Sequence, residues 1–534
     1  MSPRIDSRRR ALAASAFLSL CCSGAPAQPW SHFAGSPARI AAVGAPPPGI
    51  DVPLWLAYHD ASGQAIAFVG QSGVVADDDR VYAVGKSGGV DRVYAIGRTD
   101  GEVAWAAAVD APYVGSWSTP AIDGANGAVV VASGLTVRAF SHASGAARWQ
   151  TPLPRQVVNA SPLVTAGLGP GGVTDRVFIT DYDPFGVDGR LHCINADPFD
   201  AGLNPFMPGQ AVWSVVLGAT SGNTAAYADG VVYVASVSDE SGSPFGVVRA
   251  FDAAALAPPT PLWAFENAID TGFFGGVCVD DTPAGRFIYA ASYGFFGGQF
   301  AGNFVKLRAE DGALVWTAPC NRTAATPIPL GDGRVVVSGG IPGFGSAPSL
   351  QLFEDLGTSA ALAWDTAIDT WTDANANGVM DVGEYLLVGG WTHQPIAVGV
   401  GSVGGDESLI AGAMPTATWT AACTDLYVLD VDRDPADPGF VEAHAVGAGS
   451  TPAVAGASGG GMSLYTLGAG GLSAFGAPAC YSDCSGDGAL SVADFGCFQT
   501  RYVLADPWAD CTGEGSLTVA DFGCFQTRYV IGCP

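Results

Sequence analysis

EDGALVWTAPCNRTAATPIPLGDGRVVVSGG, residues 310–340, carries the three signals that decide the fold. An Asp-Gly turn leads into a short apolar strand ending at Trp316. A small-Thr-Pro-apolar step, ATPIP at 325, follows it. A β-branched run, RVVVSG at 334, then reads as a strand. Each signal recurs. The run returns as VYAVG at 81, VVVASG at 129, RVFITD at 176, VVYVAS at 231, FIYAAS at 287, SLIAGA at 408 and SLYTLG at 463. The step returns as STPAI at 118, ASPLV at 160, HQPIA at 393 and STPAV at 450. The turn leads to tryptophan again in TDGEVAW at Trp105 and ASGAARW at Trp149, and Trp213, Trp263 and Trp364 hold the same place elsewhere.

Each unit therefore reads strand, strand, turn, strand ending in tryptophan. A single small sheet cannot bury both faces, so such units stack radially, with an inward-facing indole between neighbours. The series predicts an all-β propeller of eight blades, with seven as the alternative because the unit between Trp364 and STPAV is long and irregular. The last unit lacks a tryptophan strand, and VPLWLAYHD around Trp55 is a tryptophan strand without its predecessors. Joining the two closes the ring and removes its free edges. Over residues 50 to 476 the repeat resembles the pyrroloquinoline-quinone (PQQ) type, whose blades end in a similar G-x-x-x-W strand.

Composition agrees with a β-rich body. The chain has 73 Gly, 36 Pro and 48% hydrophobic residues, and its only lysines are Lys86 and Lys306. A net charge of −27 argues against nucleic acid or anionic lipid as partner, because both need cations. It suits an extracellular surface and divalent cations. No stretch after the N-terminus reaches the ~20 apolar residues of a membrane helix.

The N-terminus reads as an export signal over 1–27. Arg8, Arg9 and Arg10 form its basic region, Ala11 to Leu20 its apolar region, and Ala25-Pro26-Ala27 its cleavage site. Both the general secretory and the twin-arginine routes fit. The mature protein is expected to be secreted or held at the cell surface, with the propeller over 28–476 and a separate module over 477–534. Six cysteines crowd the last 55 residues: Cys480, Cys484, Cys497, Cys511, Cys524 and Cys533. In an exported chain they read as disulfides. Internal duplication predicts a Cys480–Cys533 clasp, with the other four paired among themselves. Cys193, Cys278, Cys320 and Cys423 are expected in different blades.

That module carries the clearest chemistry. Asp483, Ser485, Asp487, Ala489 (through its carbonyl), Ser491 and Asp494 stand at positions 1, 3, 5, 7, 9 and 12 of a loop with Gly488 at position 6. Calcium takes six to eight oxygens, and this spacing lets one short loop wrap it. The pattern recurs 27 residues on as Asp510, Thr512, Glu514, Ser516, Thr518 and Asp521, and both loops run into DFGCFQTRYV. A third loop in the body, Asp373, Asn375, Asn377, Val379, Asp381 and Glu384, follows the same rule without long flanking helices. Two calcium ions are expected in the tail and a third in this insertion. G-x-S-x-G at 456 and G-x-G-x-x-G at 399 lie on no strand-to-helix turn, and His393 reads as a packed blade residue.

The duplicated loops with Asp at position 12 resemble dockerins, and DFGCF after each resembles the variant called GC-type. The resemblance implies a small α-helical domain that anchors exported proteins to a cell-surface component or protein receptor. Cellulosomal dockerins carry polar pairs where this chain has Val492-Ala493 and Val519-Ala520, which argues against a cellulosomal cohesin. Three functions are weighed: a non-enzymatic binding or scaffold propeller, a quinoprotein dehydrogenase, and a glycan-active enzyme suggested by the company dockerins keep. The quinoprotein resemblance implies adjacent cysteines over PQQ. The only adjacent pair, Cys21-Cys22, falls in the export signal, so PQQ is not expected and the first function is preferred.

Overall fold

The computed structural model describes residues 29–45, 48–68, 72–112, 116–401, 407–414, 423–456 and 462–476, and in the tail Ser482, Cys484, 490–504, Ala509, 511–512 and 516–531. Among the described residues the strands form eight antiparallel sheets, and each sheet is a propeller blade. Blades one to seven follow chain order: 67–108, 121–157, 163–218, 226–266, 278–320, 328–365 and 396–444. The eighth joins Ala453–Gly456, Met462–Gly468 and Gly471–Gly476 to the early strand Trp55–Ala57. Trp55 lies opposite Ala474 and Ala57 opposite Leu472, so the expected closure is present. The irregular stretch after Trp364 is a complete four-stranded blade seven.

The tryptophans occupy the outermost strand, but they do not end it. Leu314–Cys320 runs four residues past Trp316, and its partners continue to Gly302 opposite Cys320. The register slips one residue before the indole in blades one, two, three, five and six. Such a bulge re-aims the following side chain out of the pleat. The indole then lands on the next blade's turn. Trp55, Trp105, Trp213 and Trp263 donate Nε1–H to the carbonyls of Arg98, His142, Ala255 and Ala309 at 2.7–2.9 Å. Trp316 donates instead to the Asp355 carboxylate at 2.9 Å. Where the turn holds glycine, the ring lies flat upon it. A Cβ on Gly145 or Gly312 would sit 2.5 or 2.4 Å from Trp105 or Trp263, and both glycines have φ near +70.

A second seam runs round the inside. Gly73 N–H donates to Thr119 Oγ1, Thr119 N–H to Ser161 Oγ and Ser161 N–H to Thr224 Oγ1, each at 3.0–3.1 Å. Thr326 and Gln394 exchange two bonds between blades six and seven at 2.7 and 3.0 Å. These residues belong to the small-Thr/Ser-Pro steps and their equivalents. At these seams the step marks where one inner strand is tied to its neighbour.

The far end of the inner strands is crossed by the chain's first described residues. Backbone groups of Trp30, Ser31, Pro37, Ala38 and Ala41 bond to Ala76, Ile122, Tyr227, Val279 and Ala397, in blades one, two, four, five and seven. Arg39, wholly buried, donates to the carbonyls of Phe33, Pro162 and Ala225. Burial lowers its pKa to about 9.

In the tail, helices Val492–Val503 and Val519–Ile531 stack Phe498 on Phe525 at 4.2 Å between centroids. Disulfides join Cys484 to Cys497 and Cys511 to Cys524, one within each repeat. Cys480, Cys533 and residues 1–27, where an export signal is expected, lie outside the described residues. One expectation is corrected: Cys278 and Cys320 share blade five, on its first and last strands, because the strand after Trp316 continues to Cys320. With Cys193 they are buried free thiols, and Cys423 is buried beside His393.

Two consequences are measurable. Trp316→Ala should lower stability by about 3–5 kcal/mol by loss of a large buried side chain, and Gly312→Ala should destabilise through the clash with Trp263. Denaturant melts check both, and a loss below about 1 kcal/mol for Trp316→Ala would contradict docking between blades. Deleting residues 50–60 should leave an insoluble or uncooperative ring, since it frees two sheet edges. A soluble, cooperatively unfolding deletion would refute the closure.

Candidate functional site

The body loop at 373–384 is an exposed insertion between the last strand of blade six and the first of blade seven, reached through the short helix Thr366–Thr370. Its oxygen side chains are tied within the loop. Asp373 accepts from the N–H groups of Asn377 and Gly378 at 3.0 and 2.9 Å. Asp381 accepts the amides of Asn375 and Asn377 at 2.9 and 2.7 Å, and these amide bonds hold its carboxyl below the usual range. Glu384 at position 12 reaches back to the N–H of Ala374 at 3.1 Å. Val379 is exposed, and its N–H donates to Asn377 Oδ1 at 2.7 Å. Gly378 has φ +72, which the sharp turn at position 6 requires. The loop's carboxylates thus each accept bonds from its own backbone N–H groups or amides, and among the described residues the three do not form a metal-holding cluster.

In the tail the described loop residues are Ser491, Asp494, Thr512, Ser516, Thr518 and Asp521. Asp483, Ser485, Asp487, Ala489, Asp510 and Glu514 lie outside them. Both position-12 carboxylates are buried and sit in the first turn of a helix. Asp494 accepts from Ser491 N–H at 2.7 Å, closing a capping box. Asp521 accepts from the N–H groups of Thr518 and Thr512 at 2.7 and 3.0 Å. Those bonds, Thr518's first, lower its pKa to about 2. Ser516 is exposed, and Cys484, at position 2, packs into the small aromatic core.

The sequence reading missed an aromatic group at the mouth of the central channel. Trp117, just before blade two, meets Trp391, just before blade seven, edge to face at 5.5 Å. Tyr293 packs on Trp391 at 5.4 Å and on Phe274 at 5.1 Å. The cluster continues outward through Phe295, edge-on to Phe274 and Tyr293, to Phe296, which is 95% exposed. Phe300 on the same loop, and Phe344 on the corresponding loop of blade six, are also exposed. Arg322, fully buried, donates to the carbonyls of Phe295 and Gly297 and holds this loop up. The signal was present in GFFGGQF at 294, three phenylalanines on a glycine-rich turn.

His393 is buried, as expected of a packed residue, and its Nε2 lies 3.0 Å from Cys423 Sγ. Burial pushes the imidazole down to about 4 and the thiol up to about 12, so the pair is neutral and the thiol unreactive at ordinary pH.

Residues 52–191 match the family model described as outer membrane protein assembly factor BamB. No curated protein matches the chain. The quinohemoprotein alcohol dehydrogenase of Comamonas testosteroni is similar at 11% identity and TM-score 0.52, over 84% of this chain and 77% of that one. A europium-containing methanol dehydrogenase is similar at 10% identity and TM-score 0.53, over 95% of both. BamB from Moraxella catarrhalis aligns at 14% identity and TM-score 0.48, over 77% of this chain and 95% of that one. The two dehydrogenase likenesses show a shared fold.

The pair Asp381→Asn and Glu384→Gln should remove one calcium per chain in a calorimetric titration while leaving the melt without metal unchanged. Equal calcium uptake would show that the insertion is not a ligand loop. Since the Asp521 carboxyl is lowered in the folded state, its contribution is present above an unfolded pKa of about 3.9. It should fade as pH falls toward about 2, read as loss of tail helicity. A tail indifferent to pH across that window would contradict the cap.

Proposed function

We propose that the protein is an exported, surface-associated propeller that binds a protein partner through its aromatic face. A calcium-dependent, dockerin-like tail anchors it. The observation that carries this reading is the run of exposed phenylalanines, Phe295, Phe296, Phe300 and Phe344, on loops of two neighbouring blades. Aromatic residues displayed on a rigid scaffold are the usual anchors of protein interfaces. Grouped exposed apolar side chains also mark interaction surfaces. The family model matched over 52–191 is named for an assembly factor, which accords with scaffolding.

The tail supplies attachment in this reading. Each of its loops gathers three carboxylates, Asp483, Asp487 and Asp494, then Asp510, Glu514 and Asp521. Without metal these repel, so calcium stabilises the module by mass action. The second reading is a quinoprotein-type dehydrogenase, favoured by the fold shared with the two dehydrogenases. The chain retains no adjacent cysteines beyond its export signal to cover such a cofactor.

The test uses cells of the native host. Chains truncated after Gly476 should fold and appear in the medium, whereas the full chain stays on the cell. Phe296→Ser with Phe344→Ser should change stability by no more than about 0.5 kcal/mol yet lose the protein crosslinked to the wild-type propeller. Firm cell association of the truncated chain would refute anchoring. An unchanged crosslinked partner would refute the aromatic face.

A further inference from the structure

We infer that Asp51, Glu442 and His444 form a binding site for a zinc-class divalent cation, which clips the segment leading into the ring-closing strand to the outer edge of blade seven. Glu442 and His444 stand two residues apart on strand Val441–His444, so they share one face. Asp51 follows the buried Ile50, on the approach to Trp55–Ala57. One donor atom from each of the three residues lies within 4.8 Å of the others. Ligands about 2.0–2.1 Å from one tetrahedral ion stand roughly 3.3–3.5 Å apart. His444 Nε2 is 3.6 Å from Glu442 Oε1, close to that spacing, and Asp51, whose Oδ1 is 3.4 Å from the other ring nitrogen Nδ1, completes the set on Nε2 by turning its exposed carboxylate.

The independent observation is the imidazole itself. Its side chain is only 9% exposed, and Nε2 is buried with no hydrogen-bond partner. Both carboxylate contacts exceed ordinary hydrogen-bond length. A buried nitrogen left unpaired is unfavourable, and a cation bound there removes the penalty. The carboxylates are 84% and 72% exposed, so they can rotate onto an ion and leave its remaining positions to water. Open three-ligand zinc sites have this form. The donor set separates this site from the calcium loops, because calcium takes oxygen ligands while imidazole selects zinc and its neighbours.

The mature full-length chain, held in millimolar calcium so that its carboxylate loops are filled, is titrated with zinc chloride by calorimetry. Cobalt(II) is titrated in parallel for its four-coordinate absorption bands. One zinc per chain is expected, raising the unfolding midpoint. His444→Ala should abolish uptake, and Asp51→Asn or Glu442→Gln should each weaken it at least about tenfold. The two exposed-carboxylate variants should melt like wild type in chelator, so that lost binding is not lost folding. Absence of zinc uptake by the wild type at submillimolar metal overturns the inference and leaves an ordinary imidazole–carboxylate contact. Equal uptake by all three variants overturns it as well.

Discussion

One contact recurs round much of the ring: an indole laid on the turn of the next sheet, aimed there by a β-bulge in five of the blades. A single four-stranded sheet in this protein has two apolar faces and no means of burying them alone. The indole sets the spacing between neighbours, and for Trp55, Trp105, Trp213 and Trp263 its N–H also fixes their register by donating to the turn carbonyl. The glycine beneath the ring is required twice over, by its positive φ and by the space a Cβ would take. Closure follows the same rule. Trp55 reaches Arg98 in blade one, and Arg98 in turn donates to Tyr465, Ala455 and Gly456 of blade eight at 2.7, 3.3 and 2.7 Å.

With the ring fixed, function moves to its faces and edges. The N-terminal strap with Arg39 covers one end of the central channel, and Trp117, Trp391 and Tyr293 meet across the other. What projects from this body is a loop bearing phenylalanines, an acidic insertion and a tail, all of them local additions to turns or ends. A rigid scaffold with variable loops is a common way for propellers to carry binding sites.

Much of this was legible in the sequence because the ring's contacts are made by residues with unmistakable side chains. Tryptophan after an Asp-Gly turn and Thr-Pro before a β-branched run each mark one seam, and together they gave the blade count and the closing strand. The bulge that precedes the tryptophan in five blades was not legible, since a one-residue slip leaves no mark in composition. It is also why the strands run past their indoles and place Cys278 and Cys320 in one blade. The 373–384 loop was picked out by spacing, because its pattern is local in sequence. The aromatic mouth was missed because Trp117, Tyr293 and Trp391 are far apart in the chain and meet only across the ring. His444 escaped for the same reason: its partner Asp51 lies almost four hundred residues away.

The claim that this propeller is a calcium-anchored binding scaffold, and not an oxidoreductase, is tested most directly by purifying the mature protein from its native host. Its absorption spectrum and metal content are then recorded together. The account predicts absorbance from tryptophan and tyrosine alone, with calcium present in the purified chain. A chromophore absorbing beyond the aromatic range and released as a quinone on denaturation would contradict it and establish the dehydrogenase reading.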